Sequence, residues 1–233
     1  MNSYDVLAAF YDELIIEPSS IDEWIIFTKK HAFGSEILEI ACGSGIITEK
    51  LIDAGYHVEG FDLSSVMIDK AKIKLKNLKV NLFVDDMRTF TLAKTYQTIV
   101  CFNDSVNYLS DSIELKQLFD SVAKHLEKDG VFLFDIHTSE RLQEFTNEFI
   151  EEGYINDTPY QWSIISEDDK ILHNLVFYIN NKPCIEQHIQ TVFAKEEVKK
   201  MLDTCGFNVK IYTDFDKNEA EKGDKWFFVA VRR

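Results

Sequence analysis

A glycine turn flanked by carboxylates is the first feature of this sequence that could do chemistry. The apolar run at residues 37–41 leads into Cys-Gly-Ser-Gly, which contains Gly43 and Gly45, and Glu39 stands within the run. The next apolar run ends at Asp62. Because glycine has no Cβ, such a turn lets the backbone approach a ligand closely, and a carboxylate at Asp62 could accept both hydroxyls of a ribose. A glycine turn can also simply connect a strand to a helix, so its surroundings decide its meaning.

The elements that must position this turn alternate between strands and helices through the first 140 residues. Short apolar runs predict strands, and amphipathic runs predict helices. In chain order these are strands at residues 37–41, 57–61, 80–84, 98–102 and 131–134, and helices at 46–54, 65–76 and 113–128. Such alternation implies βαβ units and a parallel sheet with helices on both faces. Ligands of open α/β sheets bind beyond the carboxyl ends of the strands, which is where the glycine turn lies.

The pattern changes after residue 153. Alternating polar and apolar residues then predict antiparallel strands joined by hairpin turns, at residues 161–166, 171–179 and 185–193. A helix at 196–204 and two closing strands at 208–213 and 226–231 follow, with a charged loop between those strands. We therefore predict one domain made of residues 1–153 and 194–233, interrupted by an antiparallel β insert at residues 154–193 that covers a binding site.

Composition limits the class of partner. The 233 residues carry 25 Lys and Arg against 40 Asp and Glu, so the formal net charge is −15. Proteins that bind nucleic acid neutralise its phosphates with a basic surface. Because this chain is acidic, the sequence predicts small-molecule chemistry and no nucleic-acid partner. No window approaches the ~18 apolar residues that span a bilayer, no basic segment precedes an apolar one at the N-terminus, and the four cysteines are dispersed. We expect a cytoplasmic protein without membrane contact or bound metal, either a monomer or a homodimer.

Two nucleotide chemistries compete for the glycine turn. The dinucleotide fingerprint G-x-G-x-x-G has a third glycine that permits tight helix packing beside a pyrophosphate, and Thr48 stands at that position. A pyrophosphate also disfavours a neighbouring carboxylate, whereas Glu39 suits a cation. Asp62 ends the second strand, and Asp85 and Asp86 end the third. The set indicates a ligand that contains adenosine, lacks phosphate and carries positive charge.

These residues resemble the motifs of class I S-adenosylmethionine-dependent methyltransferases. Four segments resemble, in chain order, the first motif, the motif after it, the adenine-side motif and the fifth-strand motif: residues 39–45, 60–64, 85–88 and 126–135. Residues 4–12 and 102–109 resemble the small-molecule branch, which includes sugar N-methyltransferases. The resemblance covers about residues 4–138 and 194–233. It implies S-adenosylmethionine as cofactor and an α/β, Rossmann-like, doubly wound seven-stranded sheet whose last strand is antiparallel.

The resemblance also implies roles for individual residues around the cofactor. Glu39 would orient the methionine end, and Asp62 would take the ribose hydroxyls. The remaining cofactor-binding residues would be Gly43 and Gly45 near the methionine and ribose portions, Leu63 and Met67 against the adenine, Asp86 and Met87 at the adenine edge, Phe102 and Asn103 beside the methionine part, and Tyr11 as a cover. Asp85 stands where the family usually has glycine. Asp85 and Asp86 are therefore both candidates for the adenine contact.

Methyl transfer from a sulfonium is an in-line displacement, in which positioning and exclusion of water can supply much of the rate. An amine acceptor needs no dedicated base, whereas an oxygen acceptor benefits from one. His137 directly follows the fifth strand and is the first candidate for a base, and Tyr11 is the second residue that we expect at the reacting centre. We expect Tyr108, His137 and His188 to bind the acceptor. His188 shares a strand face with Glu186, and that face either lines the acceptor pocket or is a solvated edge.

The sequence thus predicts a methyltransferase that acts on a nitrogen or oxygen atom of a small molecule. Two alternatives stay open. An NAD(P)-dependent oxidoreductase could use a related sheet, although Thr48 replaces the third glycine. A non-catalytic subunit that binds S-adenosylmethionine is the other alternative, because methyl transfer leaves no obligatory catalytic residue to look for.

Overall fold

The computed structural model describes residues 6–14 and 18–233 and arranges them in two β-sheets and the helices around them. Tyr4 and Asp5 of the N-terminal motif lie outside the described residues. The strands are β1 (Glu36–Ile40), β2 (His57–Asp62), β3 (Asn81–Val84), β4 (Tyr96–Cys101), β5 (Leu126–His137), β6 (Phe149–Ile155), β7 (Thr158–Glu167), β8 (Lys170–Ile179), β9 (Lys182–Thr191), β10 (Phe207–Thr213), β11 (Lys217–Asn218) and β12 (Lys225–Arg232). The helices are α1 (Tyr11–Leu14), α2 (Pro18–His31), α3 (Ile46–Asp53), α4 (Ser65–Lys74), α5 (Ser112–His125), α6 (Ser139–Glu144) and α7 (Lys195–Thr204), with 3-10 turns at Leu7–Ala9 and Ser105–Tyr108.

The large sheet has the strand order β11-β10-β12-β5-β4-β1-β2-β3. Strands β1 to β5 run parallel to one another, and β12 lies antiparallel between β5 and β10. The α/β class, the parallel core and the antiparallel last strand are therefore confirmed. The strand count is corrected from seven to eight, because the two-residue strand β11 pairs with the edge of β10 inside the segment that we predicted as a charged loop.

Apolar side chains pack on both faces of the large sheet. Successive residues of a strand point to opposite faces, and in β5 Phe132 and Phe134 pack with α5 and α7, whereas Val131 and Leu133 pack with α2 and α3. The helices therefore sandwich the sheet and leave the carboxyl ends of its strands for the site. In the part of the chain that the structure describes, no helix has the length and apolar character needed to cross a membrane.

The antiparallel insert forms a separate sheet with the order β6-β7-β8-β9. The prediction of three strands was incomplete, because β6 also belongs to this sheet and begins at Phe149, five residues before the predicted start of the insert. Six of the seven residues of β6 are exposed or partly exposed. Such a strand has no buried face, and its sequence therefore lacks the alternation by which strands are recognised.

Helix α5 ends at His125, three residues before the predicted end at residue 128. His125 is buried and forms hydrogen bonds with the Ser121 carbonyl and the Leu92 amide, at 2.7 and 2.9 Å. Leu126 then pairs with Tyr96 as the first residue of β5. The chain changes from helix to strand without a loop, which the apolar periodicity could not show.

Candidate active site

Two adjoining cavities lie above the carboxyl ends of the parallel strands. The larger has a volume of about 570 Å³ and is bordered by residues from β2, α4 and the segment after β3. The smaller has a volume of about 270 Å³ and lies between the large sheet and the insert. Tyr11, Ser105 and Tyr108 line both cavities. Ligands in the two cavities would therefore meet at these three residues.

The glycine turn lies at the wall of the larger cavity. Gly43 has φ +53° and Gly45 has φ +81°, a conformation that favours glycine. A Cβ on Gly43 would be 4.0 Å from the ring of Tyr11, whereas a Cβ on Gly45 would come within 3.1 Å of Ala71 on α4. Gly43 thus keeps the cavity wall thin beneath Tyr11, and Gly45 allows α4 to pack closely.

Asp62, at the end of β2, faces the larger cavity with a carboxylate that backbone amides hold in place. Its Oδ2 accepts from the Gly43 N–H at 2.8 Å, and its Oδ1 accepts from the Ser64 N–H at 2.9 Å. Burial raises the pKa of Asp62, although the amide hydrogen bonds oppose that shift. Each carboxylate oxygen can accept more than one hydrogen bond, so the orientation of Asp62 is fixed and acceptor capacity remains for a ligand.

Glu39 lies behind the glycine turn and is only 3% exposed. Its Oε2 accepts a hydrogen bond from the Thr48 hydroxyl at 2.5 Å. Burial raises the pKa of Glu39 to about 8, with a further contribution from the charge of Asp62. A positively charged ligand beside Glu39 would favour the ionised carboxylate. The site therefore fits a ligand whose cationic end lies near β1.

The far end of the larger cavity is bordered by Asp85, Asp86 and Met87. Arg88 binds both carboxylate oxygens of Asp86, and its side-chain hydrogen bonds hold the pKa of Asp86 below its usual value. Among the described residues, the side chain of Asp85 accepts only from the Asp86 amide, at 2.8 Å. The carboxylate of Asp85 is thus the less engaged of the two candidates for the adenine contact.

The smaller cavity has a polar wall of buried imidazoles. His137 Nε2 lies 2.9 Å and His173 Nε2 lies 3.1 Å from Oε1 of Gln190 on β9. The indole N–H of Trp162 donates to Nδ1 of His173 at 3.3 Å. Burial lowers the pKa of His137, and it lowers that of His173 to about 4. Both rings are therefore neutral at neutral pH.

A buried network of Lys225, Asp104 and Asp135 lies beside the same wall. Lys225 Nζ lies 2.9 Å from Asp104 Oδ2 and 3.2 Å from Asp135 Oδ2. The Asp104 N–H donates to Asp135 Oδ2 at 3.1 Å. Asp104 and the preceding Asn103 have φ values of +59° and +57°. Two consecutive residues other than glycine in the left-handed region are costly, and this network holds them there.

The N-terminal segment covers the junction of the cavities. The Asn103 side-chain amide donates to the Tyr11 hydroxyl at 3.1 Å. Glu186 on β9 accepts from the backbone amides of Val6 and Leu7 at 3.0 and 2.8 Å. The segment that carries Tyr11 is thus bound to the insert on one side and to the end of β4 on the other.

The structure brings most of the predicted site residues to the two cavities. Those that line the larger cavity are Tyr11, Gly43, Asp62, Leu63, Met67, Asp86, Met87 and Tyr108. Those that line the smaller cavity are Tyr11, Asn103, Tyr108, His137 and His188. In the described structure Glu39, Gly45 and Phe102 border neither cavity and lie behind the walls. The strand face of Glu186 and His188 is buried and is not a solvated edge.

Sequence reasoning missed several residues of the smaller cavity. Asp104 belongs to the segment at 102–109 that resembles the family, but nothing in the sequence distinguishes it from its neighbours. His173 gave no separate signal within a strand-like run. Lys225 stands in the segment that we read as a charged loop, and Arg141 stands in a segment for which we predicted no element. These residues meet only through the tertiary fold.

The fold and the two cavities define an α/β protein whose candidate site lies at the carboxyl ends of its parallel strands. A family model described as "Methyltransferase domain" matches residues 37–130. The putative methyltransferase YqeM of Bacillus subtilis (strain 168) is 30% identical over 240 residues, which cover 98% of this chain and 97% of that protein. The dTDP-3-amino-3,6-dideoxy-alpha-D-glucopyranose N,N-dimethyltransferase of Streptomyces fradiae is 25% identical over 185 residues, covering 76% of this chain and 71% of that protein.

A solved structure gives the same result. An S-adenosylmethionine-dependent methyltransferase from Clostridium acetobutylicum ATCC 824 matches with a TM-score of 0.84 at 26% identity and covers 98% of each chain. The chain therefore belongs to the class I S-adenosylmethionine-dependent methyltransferase family. It is an enzyme, and S-adenosylmethionine is its cofactor. The comparisons favour this class over the oxidoreductase alternative.

Proposed function

We propose that this protein transfers a methyl group from S-adenosylmethionine to a nitrogen or oxygen atom of a small molecule in the smaller cavity. The observation that carries the proposal is the junction of the two cavities at Tyr11, Ser105 and Tyr108. S-adenosylmethionine supplies a methyl carbon bonded to a positively charged sulfur. A cofactor in the larger cavity and an acceptor in the smaller one would meet there, away from bulk water.

The walls of the larger cavity match the parts of the cofactor. Asp62 is fixed by two amides and would accept the ribose hydroxyls, while Leu63 and Met67 offer apolar surface to the adenine. Glu39 would stabilise the cationic methionine end from behind the glycine turn. Asp85 or Asp86 would accept from the adenine amino group. The other predicted cofactor residues would border the pocket or support its walls, namely Met87, Phe102, Asn103, Gly43 and Gly45.

The smaller cavity sets the size of the acceptor. A volume of about 270 Å³ lies just below the usual range for pockets that hold drug-sized ligands, which supports a small acceptor. The Streptomyces fradiae relative is named for a nucleotide-linked amino sugar, which is also a small molecule. Tyr108, His137 and His188 would contact the acceptor, with Tyr11 beside the reacting atoms. For an oxygen nucleophile, His137 would be the base.

We propose the insert at 154–193 as the part that closes the acceptor site, with residues 1–153 and 194–233 as the methyltransferase domain. Residues of β9, including His188 and Gln190, support this division because they line the smaller cavity. The proposal also includes a cytoplasmic location, a monomer or homodimer, and no nucleic-acid or membrane partner. The net charge of −15 supports the exclusion of nucleic acid.

Thermal shift and calorimetry test the cofactor site. S-adenosylmethionine and S-adenosylhomocysteine should raise Tm, whereas NAD and NADP should not. Asp62→Ala should weaken S-adenosylhomocysteine binding by about 3 kcal/mol, because two hydrogen bonds to a carboxylate are lost. Asp69→Ala makes the same change at an exposed position on α4 and serves as the control. Equal affinity of both variants would refute the role of Asp62.

A further inference from the structure

Two buried polar atoms face each other on the wall of the smaller cavity. Oδ1 of Asp104 and Nδ1 of His137 lie 3.4 Å apart, and their side chains are 15% and 5% exposed. Neither atom has a hydrogen-bond partner among the described residues. A buried polar group without a partner is costly, and native structures rarely keep one without a reason. A ligand that forms hydrogen bonds with both atoms would remove this cost.

The hydrogen-bond network assigns the tautomer of His137. An indole N–H only donates, so Nδ1 of His173 accepts from Trp162 and Nε2 of His173 carries the proton. That proton and the one on Nε2 of His137 both point to Oε1 of Gln190. In the neutral ring of His137 the lone pair is therefore on Nδ1. It faces the carboxylate of Asp104, so two acceptors oppose each other.

The charge of Asp104 is maintained by its surroundings. Burial alone would raise the pKa of Asp104, but its interactions with the neighbouring basic groups His137 and Lys225 outweigh burial and place the pKa below its usual range. Lys225 contacts only Oδ2 of Asp104 and is shared with Asp135. Two carboxylates thus share one ammonium, and Arg141 on the same wall is bound to Glu144. The negative charge of Asp104 and Asp135 is thus only partly balanced, and one more positive charge beside Asp104 would be favourable.

We propose that Asp104 and His137 bind the ammonium group of an amine acceptor, an inference that rests on the proposed function. An ammonium nitrogen within about 2.8–2.9 Å of both atoms would donate one hydrogen to Oδ1 of Asp104 and one to Nδ1 of His137. A hydroxyl has a single hydrogen and satisfies only one of them. A carboxylate acceptor has none and would be repelled by Asp104. The pair therefore selects nitrogen over oxygen.

The same arrangement prepares the nucleophile. The bound ammonium gives a proton to Nδ1 of His137, which leaves a neutral amine beside Asp104 and an imidazolium. The amine lone pair then forms the new N–C bond as the S–C bond breaks and its electron pair stays on sulfur. The products are the methylated ammonium and S-adenosylhomocysteine, and the proton on His137 passes to solvent. One methyl group is transferred and one proton is released.

Several other groups act on the protonation of His137. Asp104 raises its pKa, whereas Lys225 and Arg141 lower it. The other titratable groups nearby are Tyr11, Tyr108, His173 and His188, which line the same cavity, Asp135, which contacts Lys225, and Glu186, which contacts His188. Burial lowers the pKa of His137, and Asp104 offsets that only in part. The ring is therefore neutral before the ammonium binds, and its Nδ1 lone pair can accept a hydrogen bond from it.

The first test asks which chemical class is methylated. A bacterial metabolite extract is separated by ion exchange into cationic, neutral and anionic fractions, and each is incubated with methyl-labelled S-adenosylmethionine. Label should enter only the cationic fraction, and prior acetylation of that fraction with an amine-selective N-hydroxysuccinimide ester should abolish it. Label in the neutral or anionic fraction overturns the amine proposal and leaves the proposed function standing. Absence of label from all fractions, with intact S-adenosylhomocysteine binding, overturns the small-molecule function itself.

The second test measures binding without turnover. The labelled amine, purified from the cationic fraction, is titrated into the complex with S-adenosylhomocysteine. Asp104→Asn should weaken its binding roughly 10- to 100-fold, as expected when a hydrogen bond to a charged group is lost. Asp135→Asn removes the other carboxylate on Lys225, but Asp135 does not border the smaller cavity among the described residues. Asp135→Asn should cause a clearly smaller loss, and equal losses in the two variants overturn the proposal.

Discussion

Glu39 is a carboxylate that the fold buries without a cationic partner among the described residues. The folded protein favours its protonated form, since burial raises the pKa from 4.5 to about 8. An ionised Glu39 is useful only when a positive charge lies beside it. The cofactor site therefore costs stability in the empty protein and regains it when the cation binds, a relation common at functional sites.

This relation predicts opposite effects of Glu39→Gln on stability and binding. A pKa raised by folding means that stability is lost as the pH rises from 4.5 to about 8. The glutamine cannot ionise, so the empty variant should be more stable than wild type at pH 9, by up to about 5 kcal/mol, and should differ little at pH 4.5. Urea unfolding at both pH values measures this difference.

The same variant should bind S-adenosylmethionine more weakly, because a neutral amide replaces the carboxylate. Glu49→Gln, on the neighbouring helix α3, is the matched control and should show neither effect. If S-adenosylmethionine stabilised Glu39→Gln as much as wild type, Glu39 would have no part in holding the cationic end.

Residues that are close in sequence to a recognisable turn could be predicted. Gly43 and Asp62 follow directly from the strand–turn–helix pattern, and the amide of Gly43 indeed donates to Asp62. Asp104, His137 and Lys225 could not be assembled in this way. They are separated by 33 and 88 residues of chain, and only the pairing of β4, β5 and β12 brings them together.

At the scale of elements, β9 connects the insert to the N-terminal segment. Its inward residues are polar and buried, Glu186 and His188 among them, whereas its outward residues Ile185 and Ile189 are 60% and 56% exposed. This polarity is the reverse of an ordinary half-buried strand. The buried carboxylate of Glu186 accepts from the amides of Val6 and Leu7, and its other oxygen lies 3.1 Å from His188.

Glu186 is therefore expected to hold Tyr11 over the cofactor through the backbone of the N-terminal segment. In Glu186→Ala the amides of Val6 and Leu7 should exchange hydrogen faster, because their acceptor is gone. S-adenosylhomocysteine should also dissociate about tenfold faster, the effect expected from losing a charge-assisted hydrogen bond. Hydrogen-exchange mass spectrometry and stopped-flow displacement measure the two rates.

Two further variants separate this role from a general loss of structure. Glu186→Gln keeps an acceptor oxygen and should fall between wild type and Glu186→Ala. Gln187→Ala changes the adjacent, outward-facing position of the same strand and should alter neither rate. Faster amide exchange without faster ligand release would show that the segment does not retain the cofactor.

Most elements with a buried face could be predicted, although helix α2 was missed despite its buried face, which includes Trp24 and Phe27. Elements without a buried face were not predicted. The central parallel strands β1, β4 and β5 appeared as apolar runs because both of their faces are covered by helices. Strand β6 was missed because almost all of its residues are exposed. Helix α6 was missed because it is six residues long and none of them is buried. The periodic spacing of apolar residues arises from a buried face, so exposed elements do not show it in the sequence.

At the scale of the whole molecule, the acceptor cavity exists because the two sheets are fastened together around it. Asn107, fully buried in the 3-10 turn after β4, links the end of β9 in the insert to β5 in the large sheet. Its amide donates to the Thr191 carbonyl at the end of β9 at 2.6 Å, and its Oδ1 accepts from the His137 N–H at 3.1 Å. The hydroxyl of Thr191 also donates to the Leu109 carbonyl at 2.7 Å. We therefore expect the sheets to unfold together.

Asn107→Ala tests that expectation. The substitution leaves the Thr191 carbonyl and the His137 amide buried without partners, and each such group costs about 1–3 kcal/mol. The free energy of unfolding in urea should therefore fall by about 2–4 kcal/mol, in a single transition when it is followed by both tryptophan fluorescence and circular dichroism. Asn107 lines neither cavity in the described structure, so affinity for S-adenosylhomocysteine should stay at the wild-type value.

The control is Asn174→Ala. Asn174 is a partly exposed residue of β8 that bonds only to Gln187 among the described side chains, so its substitution should cause a much smaller loss of stability. Separate transitions for the two probes in wild type would show instead that the insert unfolds on its own, and the cavity between the sheets would then open without loss of the cofactor site.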